Sequence, residues 1–338
     1  MGTQIFFREV REKGAWNATV VGLGGSALQS WEWGEFRRRG GWEPLRLLEE
    51  EGKAACQVLF RRLPAFGRLA YIPHGPLFAD GADSAYTLEA ISGYAKRRGA
   101  FLLRVEPRLA EAQTLTADGF VASQNSFQPR CTLVVRVLEN PDEQMKALPK
   151  DARYGVRRAQ REGVEASVST DTDDLEEFLD LLEGTANRHH FVPRPREYYR
   201  YAMQDLPTCL ILARHEGRLI SGAMILAFGE EAYYLYGASQ EGEKLYASYL
   251  VQHEALSAAR QRRVRRYDMW GIPCQPHKGH PLWGVYQFKK KFGGEEKRYV
   301  GAYEKALSPL RARLFRAGIR GYYALQEFRG TPRGALAD

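Results

Sequence analysis

The stretch Cys209-Leu-Ile-Leu-Ala-Arg-His-Glu216-Gly217-Arg-Leu-Ile-Ser-Gly-Ala-Met-Ile-Leu-Ala227 predicts two β-strands joined by a tight turn. Apolar residues dominate on both sides of the Glu-Gly pair, and glycine readily adopts the positive φ that a short turn requires. The elements predicted after it are a strand over 231–236, a loop over 237–239, a helix over 243–263 and a strand in the segment 266–273, which ends at a proline. This order is typical of an α/β domain.

The N-terminal half of the chain repeats this plan. Its predicted elements are strands over 43–49, 54–61 and 68–72, a helix over 85–98 and a strand over 100–106. The turn glycine and the terminal proline are 55 positions apart in the first copy (Gly52, Pro107) and 56 in the second (Gly217, Pro273). We therefore predict two similar α/β (α+β) domains with a ligand-binding cleft between them, one at 1–131 plus 303–338 and one at 132–302.

Composition limits the function classes. The chain has 338 residues, 44% of them hydrophobic, and its 49 Lys+Arg exceed its 41 Asp+Glu, which favours a polyanionic partner. The four cysteines lack CxxC spacing, so we expect neither a disulfide framework nor a zinc site, and a reducing compartment. The charged N-terminus does not resemble a signal peptide, and no apolar window is long enough to span a membrane. We expect a soluble, cytoplasmic protein.

The segment Trp283-Gly-Val-Tyr286-Gln-Phe288-Lys289-Lys290-Lys291-Phe292-Gly293-Gly294 carries the main candidate for catalysis. Phe288 and Phe292 are four apart and would share one buried face of a short helix. Lys289 would leave from the side of this anchor, as a fixed positive charge suited to stabilising a developing oxyanion. The alternative is an ordinary solvated run of three lysines.

Other polar groups have competing interpretations. Arg153, Arg157 and Arg161 form a basic stripe on a predicted helix, either solvated or bound to a nucleic acid backbone. The pair His189-His190 does not predict a metal site, because adjacent side chains point apart and no ligand spacing supports it. The last part of the chain, from Leu310, predicts a basic amphipathic helix.

The order of these motifs resembles the FemABX aminoacyltransferases over nearly the whole chain. The matching segments are QSWEWGEF at 29–36, YIPHGP at 71–76, KDARYGVRRAQREGV at 150–164, FVPRPREYY at 191–199, YLYGAS at 234–239, YDMWGI at 267–272 and YQFKKKFGG at 286–294. The resemblance implies two domains related to the GNAT acetyltransferases, with the C-terminal helix packing back on the first. It also implies the compact type, because no heptad run for a coiled-coil insertion is present.

The resemblance further implies transfer of an amino acid from aminoacyl-tRNA to the stem peptide of a peptidoglycan precursor, either UDP-MurNAc-pentapeptide or the lipid-linked form. Lys289 is similar to the lysine that stabilises the tetrahedral intermediate. The residues that resemble precursor-binding positions are Arg37, Arg194, Tyr198 and Tyr236, with His74 as a further substrate contact. Lys290, Lys291, Arg153 and Arg157 are the expected tRNA contacts. No cofactor or metal is expected beyond the aminoacyl-tRNA co-substrate, and we expect a monomer with a peripheral association to the inner membrane.

Some questions stay open at the level of sequence. The attacking amine must lose a proton, and Glu106 and Asp268, which end equivalent strands, are candidates for the base. Either can equally be a structural carboxylate, and substrate-assisted transfer is an alternative. A competing enzyme class is an acyl-CoA-dependent N-acyltransferase of GNAT type. Its glycine-rich pyrophosphate loop is not present at 237–245, where two glutamates stand instead. A third hypothesis is a non-catalytic RNA-binding module.

Overall fold

The structure, a computed structural model, describes residues 6–113, 115, 117–123, 125–189 and 191–328, with side chains up to residue 318. The strands are β1 Phe7–Glu9, β2 Trp42–Glu49, β3 Ala54–Leu63, β4 Gly67–Pro73, β5 Leu77–Phe78, β6 Ala100–Glu106, β7 Phe120–Ala122, β8 Cys131–Arg136, β9 Glu165–Ser169, β10 Thr208–His215, β11 Arg218–Phe228, β12 Glu231–Ser239, β13 Arg266–Gly271, β14 Glu295–Arg298 and β15 Tyr303–Ala306. The helices are α1 Lys13–Gly22, α2 Trp31–Arg39, α3 Ser84–Arg97, α4 Pro141–Ala147, α5 Lys150–Arg161, α6 Thr172–His189, α7 Arg196–Asp205, α8 Ala247–Gln261, α9 Trp283–Lys290 and α10 Pro309–Phe328, and a 3₁₀ turn covers Ala27–Gln29.

The chain divides into two compact units. The first comprises Met1–Arg130 and Arg298–Asp338, and the second Cys131–Lys297. The first unit contains one mixed sheet in the order β1-β2-β3-β4-β6-β15-β7, with β5 paired to β3. The second contains a sheet in the order β14-β8-β13-β12-β11-β10-β9.

The two sheets share one topology, which confirms the internal repeat. In the first unit β2, β3 and β4 are antiparallel, α3 crosses over, and β6 returns parallel to β4. In the second unit β10, β11 and β12 are antiparallel, α8 crosses over, and β13 returns parallel to β12. Each copy is thus a meander closed by one βαβ crossover, the connection that a parallel pair requires.

The C-terminal helix belongs to the first unit, as the sequence predicted. The Phe315 ring of α10 packs 5.5 Å from Phe66 and 5.2 Å from Phe101 between ring centroids, and Ala312 is fully buried. Leu310 and Leu314 on its other side are exposed. Within the described residues, no helix is both long enough and apolar enough to cross a membrane.

Strand β12 corrects two sequence predictions. The strand continues to Ser239, whereas the sequence predicted a loop over 237–239, and α8 begins at Ala247 rather than near 243. A bulge between Met224 and Ile225 lets the pairing with β11 run on to Ser239. The glycine at 237 therefore serves a close approach rather than a turn, because a Cβ there would collide with the Tyr234 hydroxyl.

A disulfide also corrects the sequence analysis, which expected no cysteine pairing. Cys131 at the start of β8 is bonded to Cys274, just after β13, with Cα atoms 5.3 Å apart. Their separation of 143 residues gave no spacing signal, and the antiparallel pairing of β8 with β13 brings them together. Cys56 and Cys209 are free and buried.

This pairing gives a direct prediction. Thiol titration of the unreduced, denatured protein should find two of the four cysteines reactive, and four after reduction. Reduction should also lower the melting temperature, because a bond closing a loop this long restricts the unfolded chain by about 2–4 kcal/mol. A Cys131→Ser, Cys274→Ser double variant should match the reduced wild type. Four reactive thiols before reduction would contradict the assignment.

Candidate active site

Lys289 is a buried charged residue of the second unit. It lies on the last turn of α9, and only 6% of it is exposed. Its Nζ donates a hydrogen bond of 2.8 Å to the carbonyl oxygen of Gly271 and lies 5.7 Å from the centre of the Tyr234 ring. Its neighbour Lys290 is exposed instead. The run of lysines is therefore not one solvated patch.

The aromatic anchor predicted for Lys289 is present. The rings of Phe288 and Phe292 are 5.3 Å apart, and both pack against Tyr249. Phe292 is buried just beyond the end of α9, while Phe288 is half-buried. Gly294 follows with a φ of 93°, and a Cβ at this position would lie 2.6 Å from the Val134 carbonyl oxygen. The closing Gly-Gly thus lets the chain press against β8.

Burial changes the acid–base properties of Lys289. Loss of solvation lowers the pKa of its ammonium to about 8, and the negative charge of Asp268 acts in the opposite direction. The side chain is then mostly cationic at neutral pH but loses its proton readily above pH 8. A cation held in a site that excludes water interacts strongly with a developing oxyanion.

A second cluster unites three of the residues expected to bind the precursor. The Tyr199 ring lies 4.9 Å from Tyr236 and 5.8 Å from Tyr198, and the Arg194 guanidinium is 6.0 Å from the centre of the Tyr198 ring. The Tyr199 hydroxyl also accepts a hydrogen bond of 3.1 Å from the Arg194 backbone N–H. Burial raises the pKa of Tyr236 well above its usual value, so this phenol stays protonated. Tyr199 itself was missed, although it adjoins Tyr198 in the sequence.

The second unit also contains a pocket of about 730 Å³ that the sequence did not predict. Phe288, the neighbour of Lys289, forms part of its wall. The other lining residues are Arg158, Arg188, His189, Ser239, Gln240, Glu241, Gly242, Glu243, Lys244, Tyr246, Ser248 and Tyr249. Arg158 stacks with its guanidinium 5.0 Å from the Tyr246 ring centre, and Lys291 donates to the Tyr249 hydroxyl at 3.1 Å. The lining thus combines aromatic rings, cations and the two acidic residues Glu241 and Glu243.

The arginines of the basic stripe on α5 lie in different environments. Arg153 donates two hydrogen bonds of 2.8 Å to the Lys146 and Leu148 carbonyl oxygens, so it satisfies the end of α4. Arg157 is exposed, and the adjacent Arg158, which the stripe did not include, is the arginine of α5 that lines the pocket, where Arg188 of α6 joins it. The spacing of four identified one helix face, whereas the pocket lies beside a different one.

In the first unit, Arg37 lies on the last turn of α2. Its guanidinium is 5.6 Å from the Trp42 ring centre and 6.0 Å from Trp33, and Arg61 approaches the same Trp42 ring at 5.5 Å. His74 is buried, and its Nδ1 forms a hydrogen bond of 2.9 Å with the Ser26 hydroxyl. Whether these residues bind substrate stays a prediction.

Glu106 has a structural role. Its carboxylate accepts hydrogen bonds from the Tyr71 hydroxyl and Arg104 Nε at 3.0 Å, and from the Phe127 and Gln128 N–H groups at 2.8 Å. Four donors and near-complete burial leave this carboxylate poorly suited to act as a general base. Among the described residues, no group of His, Cys, Asp and Glu could hold a metal ion, and His190 lies outside them.

The two units thus share one topology, and the second combines a buried lysine with a neighbouring pocket of aromatic and charged residues. The chain matches the FemAB family over residues 21–128, 114–208 and 208–318, and it belongs to that family. The family resemblance drawn from the motifs is confirmed.

Sequence relatives agree with this assignment, and solved structures share the fold. The chain is 28% identical over 312 residues to a UDP-N-acetylmuramoylpentapeptide-lysine N(6)-alanyltransferase of Weissella viridescens, covering 84% of this chain and 90% of the relative. It is 22% identical to a lipid II:glycine glycyltransferase of Staphylococcus haemolyticus, covering 84% and 88%. The crystal structure of FemX superposes with a TM-score of 0.81 at 21% identity, covering 91% of this chain and 99% of that one. A tandem GNAT protein from the clavulanic acid pathway gives 0.53 at 13% identity, covering 90% and 98%. The predicted GNAT-like fold and aminoacyltransferase class are confirmed.

Proposed function

We propose that the protein transfers an amino acid from aminoacyl-tRNA to the side-chain amine of a diamino acid in the stem peptide of a peptidoglycan precursor. The buried ammonium of Lys289, beside the pocket that Phe288 lines, is the observation that carries this proposal. The relatives are named as aminoacyltransferases of such precursors, which supports the acceptor class.

In the proposed reaction, the neutral amine attacks the ester carbonyl at the tRNA 3′ end and forms the new C–N bond. The carbonyl oxygen becomes an oxyanion, which the Lys289 ammonium stabilises. The intermediate collapses as the ester C–O bond breaks, and the tRNA 3′ oxygen leaves with the proton lost by the amine. The group that relays this proton is unassigned.

The pocket offers stacking faces and cations to an unpaired RNA end, and the Glu243 carboxylate in its wall is engaged by backbone N–H groups at the start of α8. Tyr246, Tyr249 and Phe288 offer aromatic faces on which bases can stack, and Arg158 and Lys244 offer cations for phosphates. Lys290 and Lys291 follow Lys289 directly and extend the positive charge. We assign the acceptor end of the tRNA to this pocket and the precursor to the cluster of Arg194, Tyr198 and Tyr236.

The competing use of acyl-CoA fits the structure less well. GNAT enzymes bind the pyrophosphate of CoA at a helix N-terminus, where free N–H groups point at the anion. Here the Glu243 carboxylate accepts hydrogen bonds from Leu245 N and Ala247 N at the start of α8. In the first unit, Asp83 accepts from Tyr86 N at 3.0 Å at the start of α3. Both candidate anion sites are therefore filled by the protein's own carboxylates, which supports an acyl donor other than CoA.

The proposal can be tested with purified components. Wild-type protein is incubated with individually labelled aminoacyl-tRNAs and UDP-MurNAc-pentapeptide or its lipid-linked form, in parallel with acyl-CoA donors. We expect transfer from at least one aminoacyl-tRNA and none from acyl-CoA. Turnover of acyl-CoA without any tRNA-dependent transfer would favour the alternative.

We further propose that the protein acts as a monomer in the cytoplasm, where aminoacyl-tRNA is available, with a peripheral association to the inner membrane.

The assignment of the tRNA acceptor end to the 730 Å³ pocket leads to a separate prediction. Replacing Arg158 with alanine should raise the KM for aminoacyl-tRNA about tenfold and make the slope of log KM against log salt shallower by about 0.7, the value for one phosphate contact to a single strand. Arg265→Ala is the matched control, because Arg265 is exposed on the same unit but does not line the pocket. Equal salt slopes in both variants would place the RNA elsewhere.

A further inference from the structure

Strand β13 is irregular next to the candidate active site. Asp268 pairs with Val134 of β8, but the next pair is Gly271 with Thr132, so β13 has one extra residue in this interval. Trp270 lies in this bulge with a φ of 64°, in the left-handed region that a bulky side chain rarely adopts. Left-handed backbone at a non-glycine residue is unfavourable and persists only where surrounding contacts enforce it.

Asp268 supplies the contacts that enforce it. The Asp268 Oδ1 accepts a hydrogen bond of 2.7 Å from the Trp270 backbone N–H, and the Thr132 hydroxyl donates to the same oxygen. The Trp270 ring packs edge-to-face on Tyr233 at 5.8 Å. On the far side of the bulge, Ile272 N–H donates to the Cys131 carbonyl oxygen at 2.9 Å.

The bulge determines where the Gly271 carbonyl points. This oxygen accepts the 2.8 Å hydrogen bond from Lys289 Nζ. Within the described residues, this hydrogen bond is what fixes the position of the ammonium. A regular strand would direct its carbonyls within the plane of the sheet and not toward α9, and the pairing of β13 with β12 already ends at Asp268. The irregularity therefore provides an acceptor for Lys289.

We propose that Asp268 is a positioning residue for Lys289. Asp268 holds the bulge that presents the Gly271 carbonyl, and it places a negative charge near the buried Lys289 ammonium. This inference rests on the proposed function. It also replaces one open alternative, since Asp268 was a candidate general base. Asp268 is 2% exposed and one of its oxygens already accepts two hydrogen bonds, so it is badly placed to take a proton from a substrate amine.

Two groups from neighbouring strands face the Lys289 ammonium, one charged and one aromatic. Asp268 on β13 raises its pKa, against the larger effect of burial, and Tyr234 on β12 presents its ring face. On its own segment, Lys290 is turned outward and bonded to Glu296 at 2.9 Å. Removal of the Asp268 charge should therefore lower the pKa of Lys289 below its present value near 8.

The test is an Asp268→Asn variant, which retains an oxygen acceptor but loses the charge. The pKa of Lys289 is measured directly by NMR titration of isotopically labelled lysine, with Lys289→Met to assign the signal, and kcat is measured from pH 6.5 to 8.5. We expect the pKa to fall by about one unit, and the ratio of variant to wild-type kcat to fall on the order of fivefold between these two pH values. The titration of the acceptor amine cancels in this ratio.

The control is Thr132→Ser, which keeps both the hydroxyl donor to Asp268 and the Asp268 charge, and it should not move the pKa of Lys289. An unchanged pKa in Asp268→Asn would overturn the inference. So would a kcat reduced by one constant factor at every pH, which is the result expected of a general base. The NMR titration needs no turnover, so a wild type that transfers no amino acid would overturn the proposed function and leave this test standing.

Discussion

Replacing Lys289 with methionine should reduce kcat for amino acid transfer by about 10²–10³, the usual effect of removing one oxyanion-stabilising group. Methionine is unbranched like lysine, only one atom shorter, and suits the apolar surroundings, so the protein should still fold. The loss should appear in kcat rather than in the KM for either substrate, since the charge acts on the intermediate. Undiminished kcat in this variant would remove Lys289 from the catalytic machinery.

The same substitution should make the protein more stable. The pKa of Lys289 is about 8 in the folded protein against an ordinary value of 10.5, so at neutral pH the folded state bears a buried charge at a cost on the order of 3 kcal/mol. Below pH 8 the lysine is charged in both states and this cost is fully present. Between pH 8 and 10.5 the folded state releases its proton first, so stability rises with pH and the cost disappears.

Thermal unfolding of the two proteins across pH checks this prediction. Lys289→Met should melt several degrees above the wild type at pH 7, and the difference should shrink as the pH approaches 10. Lys290→Met is the matched control, because Lys290 is exposed and its ion pair with Glu296 contributes little. A Lys289→Met variant that is less stable than the wild type at pH 7 would show that Lys289 stabilises the folded state instead of destabilising it.

Replacing Arg194 with alanine should raise the KM for the precursor by about 10- to 100-fold and leave kcat at saturation nearly unchanged. The reason is that a guanidinium can form paired, charge-assisted hydrogen bonds to phosphate or carboxylate oxygens of the precursor. Arg194→Lys should be intermediate, since it keeps the charge and loses the forked geometry. Initial-rate kinetics with varied UDP-MurNAc-pentapeptide and saturating aminoacyl-tRNA measure both constants.

The control for Arg194 lies two residues away. Arg196 is bonded to Glu183 at 2.7 Å and to Asp180 at 2.5 Å, and belongs to a network that links α7 to α6. Arg196→Ala should lower the melting temperature with little change in the KM for the precursor. If the two variants change the KM equally, the effect of Arg194 is structural and the precursor binds at another place.

Much of the fold could be predicted because it follows from local sequence patterns of apolar residues and turn residues. The hairpins around Gly52 and Gly217 follow from apolar strands that flank a turn residue, and the structure confirms both. The anchor of Lys289 could be predicted for the same reason, since residues four apart on a helix share a face. The family motifs added the roles of Arg194, Tyr198 and Tyr236, which the structure brings into one cluster.

The sequence alone thus determined the duplicated α/β plan, the family and the lysine most suited to catalysis. Only the tertiary structure decided the disulfide between Cys131 and Cys274, the Gly271 carbonyl as the partner of Lys289, and Arg158 as the arginine of α5 that lines the pocket. These contacts depend on strand register, and a single extra residue in β13 redirects a carbonyl. Spacing along the chain fixes which side chains share a face, whereas register and bulges fix which faces meet.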